Sequence, residues 1–194
     1  NAGSFFDPKA IPPDDYPEIA EAVAAFDRVI VESHPALIGQ ECLRFRDLLL
    51  GDLEVAMGLE TIHPEALPRL NKRMSLEQFE RAAGFLRREG IALRAFVLLG
   101  LPFLSEEESL DWARRSVEFA FDCGAAAVSI IPTRGGNGAM EELSRQGEFF
   151  PPRIGSLEAA AAAGLGLRRG RVFADLWNLE EFRRCASCFG HRRQ

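Results

Sequence analysis

No uninterrupted apolar run in the chain approaches the ~20 residues needed to cross a bilayer, which excludes a helical membrane span. No basic segment followed by an apolar one stands near its start, so no secretory signal is visible and a cytoplasmic setting is expected. Cysteine is scarce. Four unevenly placed residues in 194 are too few for a disulfide scaffold and suit a reducing compartment. Basic side chains are in the minority, 23 against 29 acidic, for a formal net charge of -6. That balance argues against a surface built mainly for phosphate backbones, although it leaves room for a local basic patch. No Pro/Gly-rich hinge or low-complexity linker divides the chain. Also missing is an initiator methionine: the first residue is Asn1, as expected if the start has been removed or the chain is a fragment.

What is present describes a folded protein. Hydrophobic residues make up 47%, charged residues 27%, and there are 15 Phe, a composition that excludes a disordered tail. The length fits one ordinary domain or a piece of a larger barrel. Short apolar runs alternate with amphipathic stretches. Residues 14–26 read as a helix, with Ile19, Val23 and Phe26 at helical spacing, and Val29 to Val31 as a buried strand. A helical stretch runs on through Leu50, and Leu53 to Met57 is the next strand. Residues 75–89 read as a helix opened by a Ser75/Gln78 capping box and stopped by Gly90. Ile91 to Leu99 is the strongest strand. Ser105 with Glu108 forms a second capping box, for a helix to about Cys123, and Ala126 to Ile131 is another strand. Shorter helices are expected around 138–146 and 156–165, then a weak strand from Arg171 to Leu176 and a last helical turn from Leu179 to Arg184. Buried strands each followed by a helix predict an α/β fold, a parallel sheet with outer helices. Eight such units usually need ~250 residues, so the chain reads as part of a (β/α) barrel.

In such barrels the C-terminal strand ends carry the active site. Glu32, Ser33 and His34 end one strand, and Glu60, Thr61 and His63 follow the next. Gly100 and Pro102 end the third, and Thr133, Arg134, Gly135, Gly136 and Asn137 the fourth. An extended small ligand lying across a barrel mouth would require such ends. Turning the chain and capping helices would account for any one of them taken singly.

At these residues a resemblance becomes specific. Gly58-Leu59-Glu60-Thr61, Leu70-Asn71-Lys72-Arg73-Met74-Ser75, Arg88-Glu89-Gly90-Ile91 and Phe96-Val97-Leu98-Leu99-Gly100-Leu101-Pro102 follow one another in the chain. They resemble the second half of a radical S-adenosylmethionine (SAM) domain, in the branch that includes the elongator catalytic subunit and the tRNA methylthiotransferases. A narrower resemblance, to the radical SAM subunit of archaeosine synthase and its bacterial relatives, rests on Gly3-Ser4-Phe5-Phe6-Asp7, Val31-Glu32-Ser33, Pro102-Phe103-Leu104-Ser105-Glu106, Ile131-Pro132-Thr133 and Gly147-Glu148-Phe149. These matches run from residue 1 to about 152, which sets residues 153–194 apart as a C-terminal extension.

The resemblance implies a partial (β/α) barrel of the radical SAM type and a set of SAM contacts. Gly3, Ser4 and Phe5 would occupy the loop that meets the methionine amino group. Glu60, with Thr61, would meet the ribose hydroxyls, as suits a carboxylate that accepts two hydroxyl bonds. Leu99, Gly100, Ile131 and Pro132 would flank the adenine, and Glu32 would face the methionine portion. His34 stands where relatives often have Arg. The chemistry of such enzymes needs a [4Fe-4S] cluster held by C-x3-C-x2-C, and this triplet is absent from the sequence. The first strand and the cluster loop would then lie upstream of Asn1, and the chain alone would be inactive. A full-length protein would abstract a substrate hydrogen, with a tRNA base as the first candidate substrate.

Cys42 and Cys123 read as isolated, inert thiols. Cys185 and Cys188 form a C-x2-C pair close to His191, half of a zinc or auxiliary-cluster site, a redox pair or a bystander. The basic ending at Arg183-Arg184 and Arg192-Arg193 reads as a solvated terminus or an RNA contact. An incomplete barrel would also expose a strand edge and apolar interior faces, so self-association is expected. Two other functions remain open: a degenerate barrel serving as a scaffold, and a lyase or hydrolase using Glu32, Glu60 and His63.

Overall fold

The computed structural model describes residues 3–136 and 138–182. Five strands, β1 (Arg28–Glu32), β2 (Asp52–Glu60), β3 (Ala92–Leu99), β4 (Ala127–Pro132) and β5 (Arg171–Ala174), form one sheet in the order β1-β2-β3-β4-β5. Every neighbouring pair is parallel. A sheet wound in sequence order without a reversal places its crossovers on one side, the arrangement of a barrel wall. The helices are α1 (Tyr16–Ala22), α2 (Gln40–Arg46), α3 (Ala66–Arg69), α4 (Leu76–Arg88), α5 (Glu106–Asp122), α6 (Ala139–Arg145) and α7 (Ile154–Gly166). The parallel sheet with outer helices is therefore the fold expected from the strand pattern.

Side-chain alternation assigns the two faces. On β3, Leu93, Ala95, Val97 and Leu99 are buried and belong to the apolar core, with Val128 and Ile130 of β4, while α4, α5 and α7 pack over this side. Phe79 and Leu86 of α4 and Val117 and Ala120 of α5 are also buried in it. Each fully buried Leu or Phe contributes roughly 1.5–3 kcal/mol. The alternate residues, Arg94, Phe96 and Leu98 on β3 and Ser129 and Ile131 on β4, line an open cavity on the other face.

Both predicted capping boxes form, Ser75 with Gln78 and Ser105 with Glu108. Other elements differ from the sequence reading. The helix expected over 14–26 is helical only as Tyr16–Ala22, behind a single 3-10 turn at Pro13–Asp15. The stretch expected to run helically through Leu50 divides into a 3-10 turn at Pro35–Leu37 and α2, separated by Gly39 in an extended conformation. Pro35 fixes that turn, because its ring presets a helical φ and has no N–H to satisfy. β2 runs three residues past the expected Met57, because it is paired on both sides. The boundary drawn at residue 152 falls between β4 and β5 of one continuous sheet, and α7 packs on α5 and β5.

Candidate functional site

A cavity of about 830 Å³ opens at the C-terminal ends of the strands. Its rim is built from loops held at several points. Phe5 packs with Phe6, Tyr16 and Phe45, its ring centroid 4.6 Å from that of Phe45, and its N–H donates to the Glu32 carbonyl at 2.7 Å. This aromatic anchor leaves Gly3 and Ser4 at the cavity. The Ser4 hydroxyl accepts the His34 N–H at 2.9 Å. The His34 ring accepts the Ala36 N–H at Nδ1, so the proton is on Nε2, which donates to the Lys72 carbonyl at 3.0 Å. The loops after β1 and before α4 are thereby tied across the rim.

Glu60 is placed by an irregularity. The β2–β3 register shifts between Gly58 and Glu60, and Glu60 has φ +63°. A β-bulge re-aims a side chain, and a left-handed conformation at a non-glycine costs about 1–2 kcal/mol unless the surroundings hold it there. The result folds the Glu60 carboxylate over Gly58, where a Cβ would collide with Glu60 Oε1. Lys72 Nζ lies 3.3 Å from that oxygen, carried on a turn in which Asn71 and Arg73 also have positive φ.

Two inward-facing serines of α5 fix the loops that follow β2 and β3. Ser116 Oγ accepts the Ile62 N–H at 3.0 Å, and Ser109 Oγ accepts the N–H groups of Gly100 and Leu101 at 2.7 and 3.1 Å.

The structure brings together Gly3, Ser4, Glu32, Glu60 and Ile131, all of which line the cavity. Others of the expected set do not reach it. Phe5 is part of the aromatic anchor. Thr61 is buried, with its hydroxyl accepting the His63 N–H at 3.1 Å. Leu99 points into the core, and Pro152 closes over the bare Cα of Gly100. Pro132 is buried and accepts a bond from Arg134 at its carbonyl. His63 also turns away: its Nδ1 accepts the Glu65 and Ala66 N–H groups and its ring packs against Trp112. A catalytic group of Glu32, Glu60 and His63 is therefore not assembled. Asn137, Cys185, Cys188, His191 and the terminal arginines lie outside the described residues.

The sequence reading missed three features of the cavity. Lys72 joins the rim. Ser33, only 5% exposed, lines the cavity with a hydroxyl that has no hydrogen-bond partner. The third is an ionic floor. Glu54, 0% exposed, receives Arg94 Nε on Oε1 at 2.7 Å and Arg171 Nη2 on Oε2 at 2.6 Å, with Arg28 Nη1 at 3.6 Å. Burial works to raise the Glu54 carboxyl, but the bonds from Arg171 and Arg94 outweigh it and hold it below the ordinary carboxylate range. A lone Glu inside Leu53-Glu54-Val55-Ala56-Met57 was the available signal.

No protein-family model matches the chain. It is 30% identical over 162 residues to archaeosine synthase subunit beta of Thermococcus kodakarensis, a match covering 80% of this chain and 50% of that protein. The subunit of the same name from Methanosarcina acetivorans is 26% identical over 163 residues, covering 80% and 47%. Among solved structures, Methanocaldococcus infernus Elp3 with an N-terminal deletion shares the fold, with a TM-score of 0.63 at 20% identity over 75% of this chain and 34% of that one. The sequence is thus similar to archaeosine synthase subunit beta, and the fold is shared with Elp3. The chain spans about half the length of the curated relatives it matches.

The radical SAM resemblance of the sequence motifs implies two groups, SAM and a [4Fe-4S] cluster. Among the described residues, no three His, Cys, Asp or Glu side chains are grouped to hold a metal. Burial pushes the Cys42 thiol up to about 11, and the Cys123 thiol likewise to about 11, and neither has further ligand groups gathered beside it. The described residues do not fit a cluster. They do fit SAM: the cavity offers a carboxylate aimed by a strained backbone, a second carboxylate at Glu32 and the buried, unpartnered Ser33 hydroxyl.

Proposed function

We propose that this chain forms the SAM-binding wall of a radical SAM enzyme, and that the enzyme acts on a tRNA base. The observation that carries the reading is the Glu60 carboxylate, held over the cavity by a bulge and a left-handed backbone. Strain of this kind persists at sites where it serves a purpose. Bound in an enzyme whose [4Fe-4S] cluster donates one electron, SAM would break its C–S bond to methionine and a 5′-deoxyadenosyl radical, the species that would take a substrate hydrogen.

In this reading Glu60 accepts the two ribose hydroxyls, and Lys72 holds its carboxylate in place from 3.3 Å. Glu32 meets the methionine ammonium beside Gly3 and Ser4, and the Ser33 hydroxyl gains the partner it lacks. Ile131 packs on the adenine. Leu99, Gly100 and Pro132 act behind it, shaping that wall through the backbone, as Thr61 and Phe5 support the loops they belong to. The tRNA substrate is suggested by the name archaeosine synthase carried by two relatives. Because C-x3-C-x2-C is absent from the 194 residues, the chain alone binds SAM without cleaving it.

Titration calorimetry with SAM tests the proposal. Saturable binding that weakens at least tenfold in Glu60→Ala supports it; no binding, or equal binding by the variant, overturns it. Incubation with SAM and a chemical reductant should release no 5′-deoxyadenosine from this chain, and release would refute the assignment of the chain as a binding wall only.

A further inference from the structure

Strand register orders the cavity lining. Glu60 registers with Val97, next to Leu98 and Ile131, whereas Glu32 registers through Ala56 with Arg94. Arg94 lies three residues beneath Val97 on β3, about 10 Å down the strand, with Phe96 between them on the cavity face. SAM held at the rim leaves this depth to a second ligand.

Arg94 is built as a fixed receptor rather than a mobile surface cation. Its Nε is spent on Glu54, its Nη1 donates to Ser129 Oγ at 3.3 Å, and its Cζ lies 4.7 Å from the Phe173 ring centroid. Among the described bonds, Nη2 has none. Glu54 does not neutralise the floor, because one buried carboxylate faces three guanidinium groups, Arg28, Arg94 and Arg171. Asp52 offsets only Arg28, from a distance of 3.7 Å at the exposed end. The three guanidinium groups outnumber the one buried carboxylate they share, beneath the apolar ring of Phe96, and field is focused where low-dielectric walls enclose charge of one sign. A planar guanidinium with a free donor edge suits a carboxylate or phosphate oxygen.

We infer that Arg94 is the anchor for an oxyanion, a carboxylate or phosphate, carried by the substrate that occupies the cavity beneath SAM. The inference rests on the SAM reading for its division of the cavity, but the anion site itself stands on the floor geometry.

The test uses the chain with inorganic phosphate and with acetate as separate probes, at constant ionic strength and without SAM. The Nε–Hε resonance of Arg94, assigned by its loss in Arg94→Lys, should shift saturably with one probe or both. The tighter probe names the substrate group. Affinity read by titration calorimetry should fall at least tenfold in Arg94→Gln and stay unchanged in Arg169→Gln, an arginine paired with Asp122 on α5. Should Arg94→Gln not fold, the wild-type titration still decides. A shift that stays linear with both probes overturns the proposal. So does displacement of the probe by S-adenosylhomocysteine, which would give Arg94 to the cofactor's own carboxylate. If S-adenosylhomocysteine fails to bind while phosphate or acetate still saturates Arg94, the SAM reading falls and the anion site stands.

Discussion

Glu54→Ala puts the ionic floor to a direct test. The substitution removes a fully buried carboxylate and strands the cations that face it. Breaking a buried pair by deleting one partner costs about 3–5 kcal/mol, because the remaining charge is left uncompensated. The side chains of Arg171 and Arg28 are 41% and 43% exposed and can turn to water, whereas that of Arg94 is 16% exposed and cannot. One stranded cation rather than three places the cost at the lower end, about 3 kcal/mol. For a domain of this size each kcal/mol moves Tm by about 2–4 °C, so a loss of about 6–12 °C is expected. Urea unfolding at pH 7 of the wild type, Glu54→Ala and Glu54→Gln measures it, with Gln falling between the other two because it keeps the shape and one acceptor. The pH dependence has a definite sign. The folded carboxyl titrates below its unfolded value of about 4.3, so its contribution is fully present above that pH and is lost as pH falls through the folded value. The gap between wild type and Glu54→Gln should stay constant from neutrality to about pH 4.5 and close at lower pH. A Glu54→Ala variant within about 1 kcal/mol of wild type, or a gap that widens on acidification, would refute the reasoning.

Four other outcomes follow from the same geometry. Gly58→Ala should push the Glu60 carboxylate out of place and weaken SAM binding with little change in Tm, since its Cβ meets only the far end of that side chain; Glu60→Gly should be more stable than Glu60→Ala by about 1 kcal/mol, because glycine takes positive φ freely. Ser109→Ala leaves the Gly100 and Leu101 N–H groups without their acceptor and should cost about 2–3 kcal/mol in urea unfolding; a change under 0.5 would contradict that role. β1 and β5 are the sheet's edges among the described residues, with Ile30 48% and Phe173 41% exposed, so light scattering should show a mass that rises with concentration; a constant monomer mass would count against exposed edges as association sites.

Much of the scaffold was legible because it depends on local chemistry. Both capping boxes are four-residue patterns, and the apolar runs of β2, β3 and β4 could only be buried strands. β5 was weak in the sequence, since its pattern has polar and apolar residues facing an open cavity, and it is its pairing with β4 that defines it. The rim was partly legible: Glu32 and Glu60 follow from their places at strand ends, and the resemblance at Gly58-Leu59-Glu60-Thr61 pointed the same way. The orientation of neighbours was not. Thr61 and His63 stand next to Glu60 in sequence, yet the bulge sends Glu60 to the cavity and leaves them to make turn bonds. The ionic floor was illegible for another reason. Glu54 finds Arg94 40 residues away and Arg171 117 residues away, partners that only the assembled sheet brings together.

The central claim is that Glu60 holds the ribose of SAM. Calorimetry with S-adenosylhomocysteine and its 2′-deoxy counterpart, on wild type and Glu60→Ala, tests it most directly. A charge-assisted hydrogen bond from the hydroxyl contributes about 1.5–3 kcal/mol, so removing that hydroxyl should weaken binding to the wild type by roughly 10- to 100-fold and leave binding to Glu60→Ala unchanged. An equal loss in both proteins, or none in the wild type, would contradict the assignment.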